Sequence, residues 1–191
     1  MDELQALGEL LWMLVMHPNT GVLLALLGLA AVIDWRSFRI PNWLTLSGAA
    51  YAIAFHATHG ATPAAGLATA GLGLVTGLLL LLPLYAIRVL GAGDVKLLAM
   101  VGAFLGAVAT LKAAVFIFVI GGVAAIAFAL SRRASRLLAA NVREIAFSAV
   151  TRGMPMWRPG GQAVSVGRLP YGVSISVGTT LFLIARQLAL F

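Results

Sequence analysis

The sequence contains no cysteine. Disulfides, thiolate catalysis and cysteine-ligated zinc or iron–sulfur centres are therefore excluded. Acid is nearly as scarce, with six Asp and Glu among 191 residues. Three of the six, Asp2, Glu3 and Glu9, lie at the extreme N-terminus, where a cleaved secretory signal would carry basic residues. No such signal is expected. There is no H-E-x-x-H run, which removes the commonest helical zinc-protease arrangement. No metal and no cofactor is expected.

What the chain has is apolar surface. It is 61% hydrophobic and 10% charged, with a mean hydropathy of +1.02. A soluble domain of this size cannot hide so much, so the composition predicts an all-α polytopic membrane protein. The net charge of +7 does not point to nucleic acid, because the basic residues cluster in particular loops, as a topology signal does.

Six spans are expected: residues 20 to about 35, 43–57, 65–87, 95–109, 113–130 and 169–188. Residues 1–19 read as a short interfacial helix ended by Pro18-Asn19. A turn is expected near Thr110 and Lys112, an uncharged one at His56–Pro63, and a kink at Pro83. Residues 131–168 form a basic segment with seven arginines against one acid, Glu144. Its first part has the pattern of an amphipathic helix on a membrane surface, with anionic lipid headgroups as the expected partner. The whole chain, 1–191, reads as one membrane-embedded domain. The glycines at 66, 71, 73 and 77 suggest close helix packing. Trp35, Trp43 and Trp157 suggest interfacial anchors.

The positive-inside rule places the N-terminus outside. Arg36, Arg39, Arg88, Lys96 and the basic segment then fall in the cytoplasm, and Lys112 falls outside. Asp34 leaves the membrane on the cytoplasmic side, and Asp94 enters a helix from that same side. Asp34 comes out roughly 21 Å into a core about 30 Å thick. An ionisable group costs roughly 2.5–3.5 kcal/mol at a bilayer centre, so each of these two carboxylates is a functional candidate.

Two carboxyl groups at one depth on one face can hydrolyse a peptide bond. The ionised one activates water as a general base, and the protonated one donates to the carbonyl oxygen. Like charges at short range do not both ionise cheaply, so the two would share a proton and titrate as a pair. Gly91 and Gly93 would allow an irregular backbone before Asp94 and a close substrate approach. Other readings compete. Asp94 after a glycine-rich turn suits a helix N-cap. Asp34 could pair with Arg36 or Arg39, and Lys96 could snorkel or hold the aspartates. His56 and His59 have i,i+3 spacing but no third ligand nearby, so a solvated turn is expected. Gly172-Val173-Ser174 is a short G-x-S, with no histidine in any span placed to serve it.

Gly91-Ala92-Gly93-Asp94-Val95-Lys96 resembles the G-x-G-D-x-K signature of the type IV prepilin peptidases, a family of membrane aspartyl proteases. Asp34, followed by Arg36, Arg39 and Ile40-Pro41-Asn42, resembles that family's other aspartate block. Pro170-Tyr171-Gly172 resembles its C-terminal P-Y-G element. The three elements come in the family's order and span nearly the whole chain. The resemblance implies a bacterial inner-membrane endopeptidase that cuts prepilins or pseudopilins at the cytoplasmic face, with Asp34 and Asp94 as catalytic pair. It implies supporting or substrate-approach roles for Gly91, Gly93, Lys96, Pro41, Asn42, Pro170, Tyr171 and Gly172. Longer members carry a paired CxxC zinc insert associated with N-methylation. This chain has no cysteine and looks like the short form serving Flp/Tad-type pili, so peptidase activity is expected and methylation is not. The alternative from another class is a small transporter or proton-coupled carrier with Asp34 and Asp94 as an ion relay. A weak internal repeat would favour it, and none is visible. A third possibility is a catalytically idle assembly factor of a pilus machine.

Overall fold

The computed structural model describes residues 3–87, 89–131 and 170–188. The described residues are helical, with short connections and no strand among them. The helices are α1 (Glu3–Met16), α2 (Pro18–Ser37), α3 (Asn42–His59), α4 (Pro63–Ala86), α5 (Ala92–Leu105), α6 (Ala107–Ser131) and α7 (Tyr171–Gln187). Two compact units are resolved, Met1–Gly121 with Pro170–Phe191, and Gly122–Leu169. Of the second unit, residues 122–131 are described, as the end of α6. The basic segment after Ser131, with Trp157, and Arg88 lie outside the described residues.

Prolines start several of these helices. Pro18 and Pro63 stand in the first turns of α2 and α4, where a missing N–H costs nothing, and Pro41 is the extended N-cap of α3. The Thr62 hydroxyl caps α4 by accepting the Ala65 N–H at 3.1 Å. Pro83 lies in the last turn of α4, close to where that helix ends.

The centre of the first unit is α5. Val95 and every residue from Leu97 to Phe104 are buried, the mark of a helix apolar on all sides and enclosed by others. It packs most extensively on α4, and also on α3 and α7. The α4–α5 crossing is made by glycines: a Cβ added at Gly73 would collide with the Gly102 carbonyl, and one at Gly102 with the Gly73 carbonyl. Gly77 meets the Leu98 backbone in the same way, and Gly66 meets that of His56. The expected small-residue packing holds at these positions. Gly71 is different, facing open space.

Two expected boundaries move. The break after α5 is not at Thr110–Lys112 but at Gly106, whose φ of 78° few other residues adopt. Thr110 is fully buried inside α6 and donates its hydroxyl to the Gly106 carbonyl at 2.6 Å. A polar side chain satisfied by its own preceding turn does not need a loop. The turn at His56 likewise starts later, because α3 runs to His59. His56 is half-buried and hydrogen-bonds the Phe104 carbonyl at the end of α5 (3.1 Å), as Asn19 Nδ2 does from α2 (3.2 Å). His59 stacks on Phe55 at 4.2 Å between ring centroids.

Among the described residues, three helices are long and apolar enough to cross a membrane: α2, α4, and α6 over Ala107–Phe128. With 14 residues, α5 reaches about 21 Å, short of a hydrocarbon core of about 30 Å.

Candidate functional site

Asp34 lies in the last turn of α2 and is 4% exposed. Its backbone carbonyl accepts the Phe38 N–H at 2.8 Å. Phe38 caps the helix in the left-handed conformation, φ 51°, an uncommon state for a bulky residue. Beyond this cap, Ile40 brings its Cδ1 to the same glycine, Gly172, that the Asp34 carboxylate reaches.

The carboxylate itself is held by α7. Its Oδ2 accepts the Gly172 N–H at 2.8 Å. The Val173 N–H, which donates to the Pro170 carbonyl at 3.2 Å, is a second backbone N–H near it. Pro170 is the N-cap of α7. The first-turn N–H groups of a helix have no partner within it, and an anion there also meets the positive end of the helix dipole. The P-Y-G turn is thus a backbone cradle for Asp34. The partners of Asp34 are these amides rather than Arg36 or Arg39. Gly172 leaves no space for a side chain: an added Cβ would stand 2.8 Å from Asp34 Oδ2 and 2.9 Å from Ile40 Cδ1.

Asp94 is not the N-cap of α5. Gly91 is, and Asp94 sits at the third helical position. Its Oδ2 accepts the Gly91 N–H at 3.0 Å, one half of a capping box whose other half a glycine cannot supply. The bond uses one of the two carboxylate oxygens. The backbone of Gly91 and Gly93 is regular, with neither at positive φ. What Gly93 permits is close packing: an added Cβ would lie 3.2 Å from Ile40 Cβ and 3.4 Å from Ile40 N.

Ile40, 8% exposed, therefore stands between Gly93 of α5 and Gly172 of α7. Through it the three sequence elements meet at one end of the helices. Asp34 is within electrostatic reach of Asp94, and Asp94 within reach of Tyr171. Tyr171 in turn packs its ring where a Cβ on Gly121 would go. At the rim, Lys96 Nζ donates to Asn42 Oδ1 at 2.9 Å. Lys96 thus ties α5 to the start of α3 rather than to either aspartate. Trp35 and Trp43 are exposed beside this end, as membrane anchors need to be. Among the described residues no group of three metal-ligating side chains occurs.

Sequence reasoning did not single out Ile40, Val173 or Phe38 as site residues. Ile40 was visible only as part of a motif. Val173 acts through its amide, and Phe38 through its φ, neither of which a side-chain pattern reports.

These features define a helical membrane protein that gathers two carboxylates from separate helices at one end, one of them cradled by a third helix. A sequence profile of the type IV leader peptidase family matches residues 21–130, more than half of the chain. The chain belongs to that family, which makes it a protease by descent. Both aspartate blocks lie inside the matched stretch, and the Pro170–Gly172 turn lies beyond it. No curated protein and no solved structure matches the chain.

Proposed function

We propose that the chain is a prepilin peptidase in which Asp34 and Asp94 form the catalytic pair. One carboxylate, ionised, takes a proton from water. The water oxygen attacks the scissile carbonyl while the second carboxyl, protonated, donates to the carbonyl oxygen. Collapse returns that proton to the second carboxylate, and the first passes its proton to the leaving amine. The observation that carries this reading is the convergence on Ile40 of the Asp34 block, the Gly91–Lys96 block and the Pro170–Gly172 turn. Family membership speaks for peptidase chemistry over an ion relay.

The proposed setting has six spans with the N-terminus outside the bacterial inner membrane, as the distribution of basic residues favours. The single domain of residues 1–191 then opens its carboxylate end to the cytoplasm. Its substrates are Flp/Tad-type prepilins or pseudopilins, cut between a short basic leader and the hydrophobic helix. The basic segment 131–168 contacts anionic headgroups, and Gly91, Gly93, Pro41, Asn42, Lys96, Tyr171 and Gly172 support the carboxylates or admit the substrate strand.

The test is cleavage of a prepilin from the same genome in liposomes, followed by N-terminal sequencing. Wild type should cut before the hydrophobic segment, while Asp34→Asn and Asp94→Asn each insert normally and cut nothing. Retained cleavage by either variant would sink the pair.

A further inference from the structure

A second polar feature lies at the opposite end of α5. That helix and α7 both start at the carboxylate site, so their C-terminal ends are about 20 Å or more away from it. A cavity of about 390 Å³ lies where α5 ends and α6 begins. Lys112 from α6 and Arg186 from the last turn of α7 both line it, beside Thr69 and Phe182. Both cations are exposed, and among the described residues neither has a carboxylate partner. Gly106, at a positive φ of 78°, separates α5 from α6 there. Residues of the first turn of α6, Ala107 to Ala109, also line the cavity, and the N–H groups of a first turn have no acceptor in their own helix.

We propose that this cavity binds a phosphate-bearing anion. Two side-chain cations from different helices carry the assignment, and the backbone donors at the base add to it. A guanidinium presents a planar fork suited to phosphate oxygens, and an ammonium adds a point charge. The volume exceeds what one phosphate fills, so a headgroup with its glycerol fits. In the orientation proposed above, Lys112 and Arg186 are the basic residues that fall on the outer face, against the charge rule. A phosphodiester ligand gives them a reason to be there. The inference does not rest on the peptidase reading, because the cavity has this chemistry in either orientation.

The test is native mass spectrometry of the full chain in neutral detergent, titrated with phosphatidylglycerol and, separately, phosphatidylcholine. Wild type is compared with Lys112→Gln, Arg186→Gln, the double variant and Lys112→Arg. The basic segment also attracts anionic lipid, so the reading is the difference between wild type and variant. Each single Gln variant should weaken one phosphatidylglycerol site about tenfold, and the double variant about a hundredfold. Lys112→Arg should keep the site, and phosphatidylcholine binding should not change. Inorganic phosphate that displaces one lipid from wild type alone would identify the phosphate group itself as the ligand. Failure to displace it would identify the intact headgroup. Equal phosphatidylglycerol binding by wild type and double variant would overturn the proposal, as would an equal loss of phosphatidylcholine. Both side chains are exposed, so each single variant keeps the packing and carries the test if the double variant folds poorly.

Discussion

The Gly172 N–H donates a 2.8 Å hydrogen bond to the Asp34 carboxylate across 138 positions of the chain. One turn further along α7, Ser176 Oγ donates to the Leu27 carbonyl of α2 at 2.9 Å. The two bonds set how α2 and α7 approach. The first sets where a proposed catalytic oxygen sits, so changes at Gly172 should alter chemistry before they alter the fold.

Gly172→Ala is expected to push the Asp34 carboxylate away from the Gly172 amide. The new Cβ would stand 2.8 Å from Oδ2, closer than carbon and oxygen tolerate. A displacement of this order at a reacting group costs about 10²-fold in rate, and overpacking costs about 1–3 kcal/mol of stability. Cleavage kinetics beside a thermal unfolding curve measure both. A rate near wild type would show that the Asp34 cradle does not position the reacting group.

Asp94→Asn and Asp94→Ala should separate chemistry from capping. The amide oxygen of Asn still accepts the Gly91 N–H, so that variant should unfold close to wild type. Ala leaves the donor without its partner and should lose about 0.5–1.5 kcal/mol. Neither variant should cleave. Denaturation in detergent with the cleavage assay alongside gives the two quantities.

Lys96 and Asn42 invite a double-mutant cycle. Their 2.9 Å bond is exposed, so the coupling should be no more than about 1 kcal/mol. Lys96→Gln and Asn42→Ala should each slow cleavage only a few-fold, and the double variant little further. An effect of Lys96→Gln as large as that of Asp94→Asn would mean that Lys96 acts on the reacting groups directly.

The α4–α5 crossing should be the most sensitive packing point. Gly73→Ala or Gly102→Ala drives a methyl into the facing carbonyl and should cost about 1–3 kcal/mol or prevent stable insertion. Gly71→Ala, facing open space on the same helix, should be neutral or stabilise by up to about 1 kcal/mol. Expression level and unfolding midpoint in one detergent compare the three.

Much of the helical layout is legible in sequence because apolar runs, prolines and N-caps are local signals. Pro18-Asn19 marks the end of α1 in the sequence, and the structure adds that Pro18 itself opens α2. The break at Gly106 was misplaced for an equally local reason. Thr110 and Lys112 are the polar residues there, but a threonine bonded to its preceding turn is at home inside a helix. Only a φ of 78° stops α5, and φ is not written in hydropathy.

Two carboxylates near helix ends, in a chain with little other acid, can be read from the residue order alone, together with the three motif blocks around them. They stand out because charge in an apolar chain is costly and therefore sparse. How those blocks touch comes from the packed fold. Asp34 meets the amides of α7, Gly93 and Gly172 close on Ile40, and Lys96 reaches Asn42. These contacts come from the packing of α2, α3, α5 and α7 around one another. They run through backbone amides and through spaces that glycines leave empty, which no pattern of side chains along the chain records.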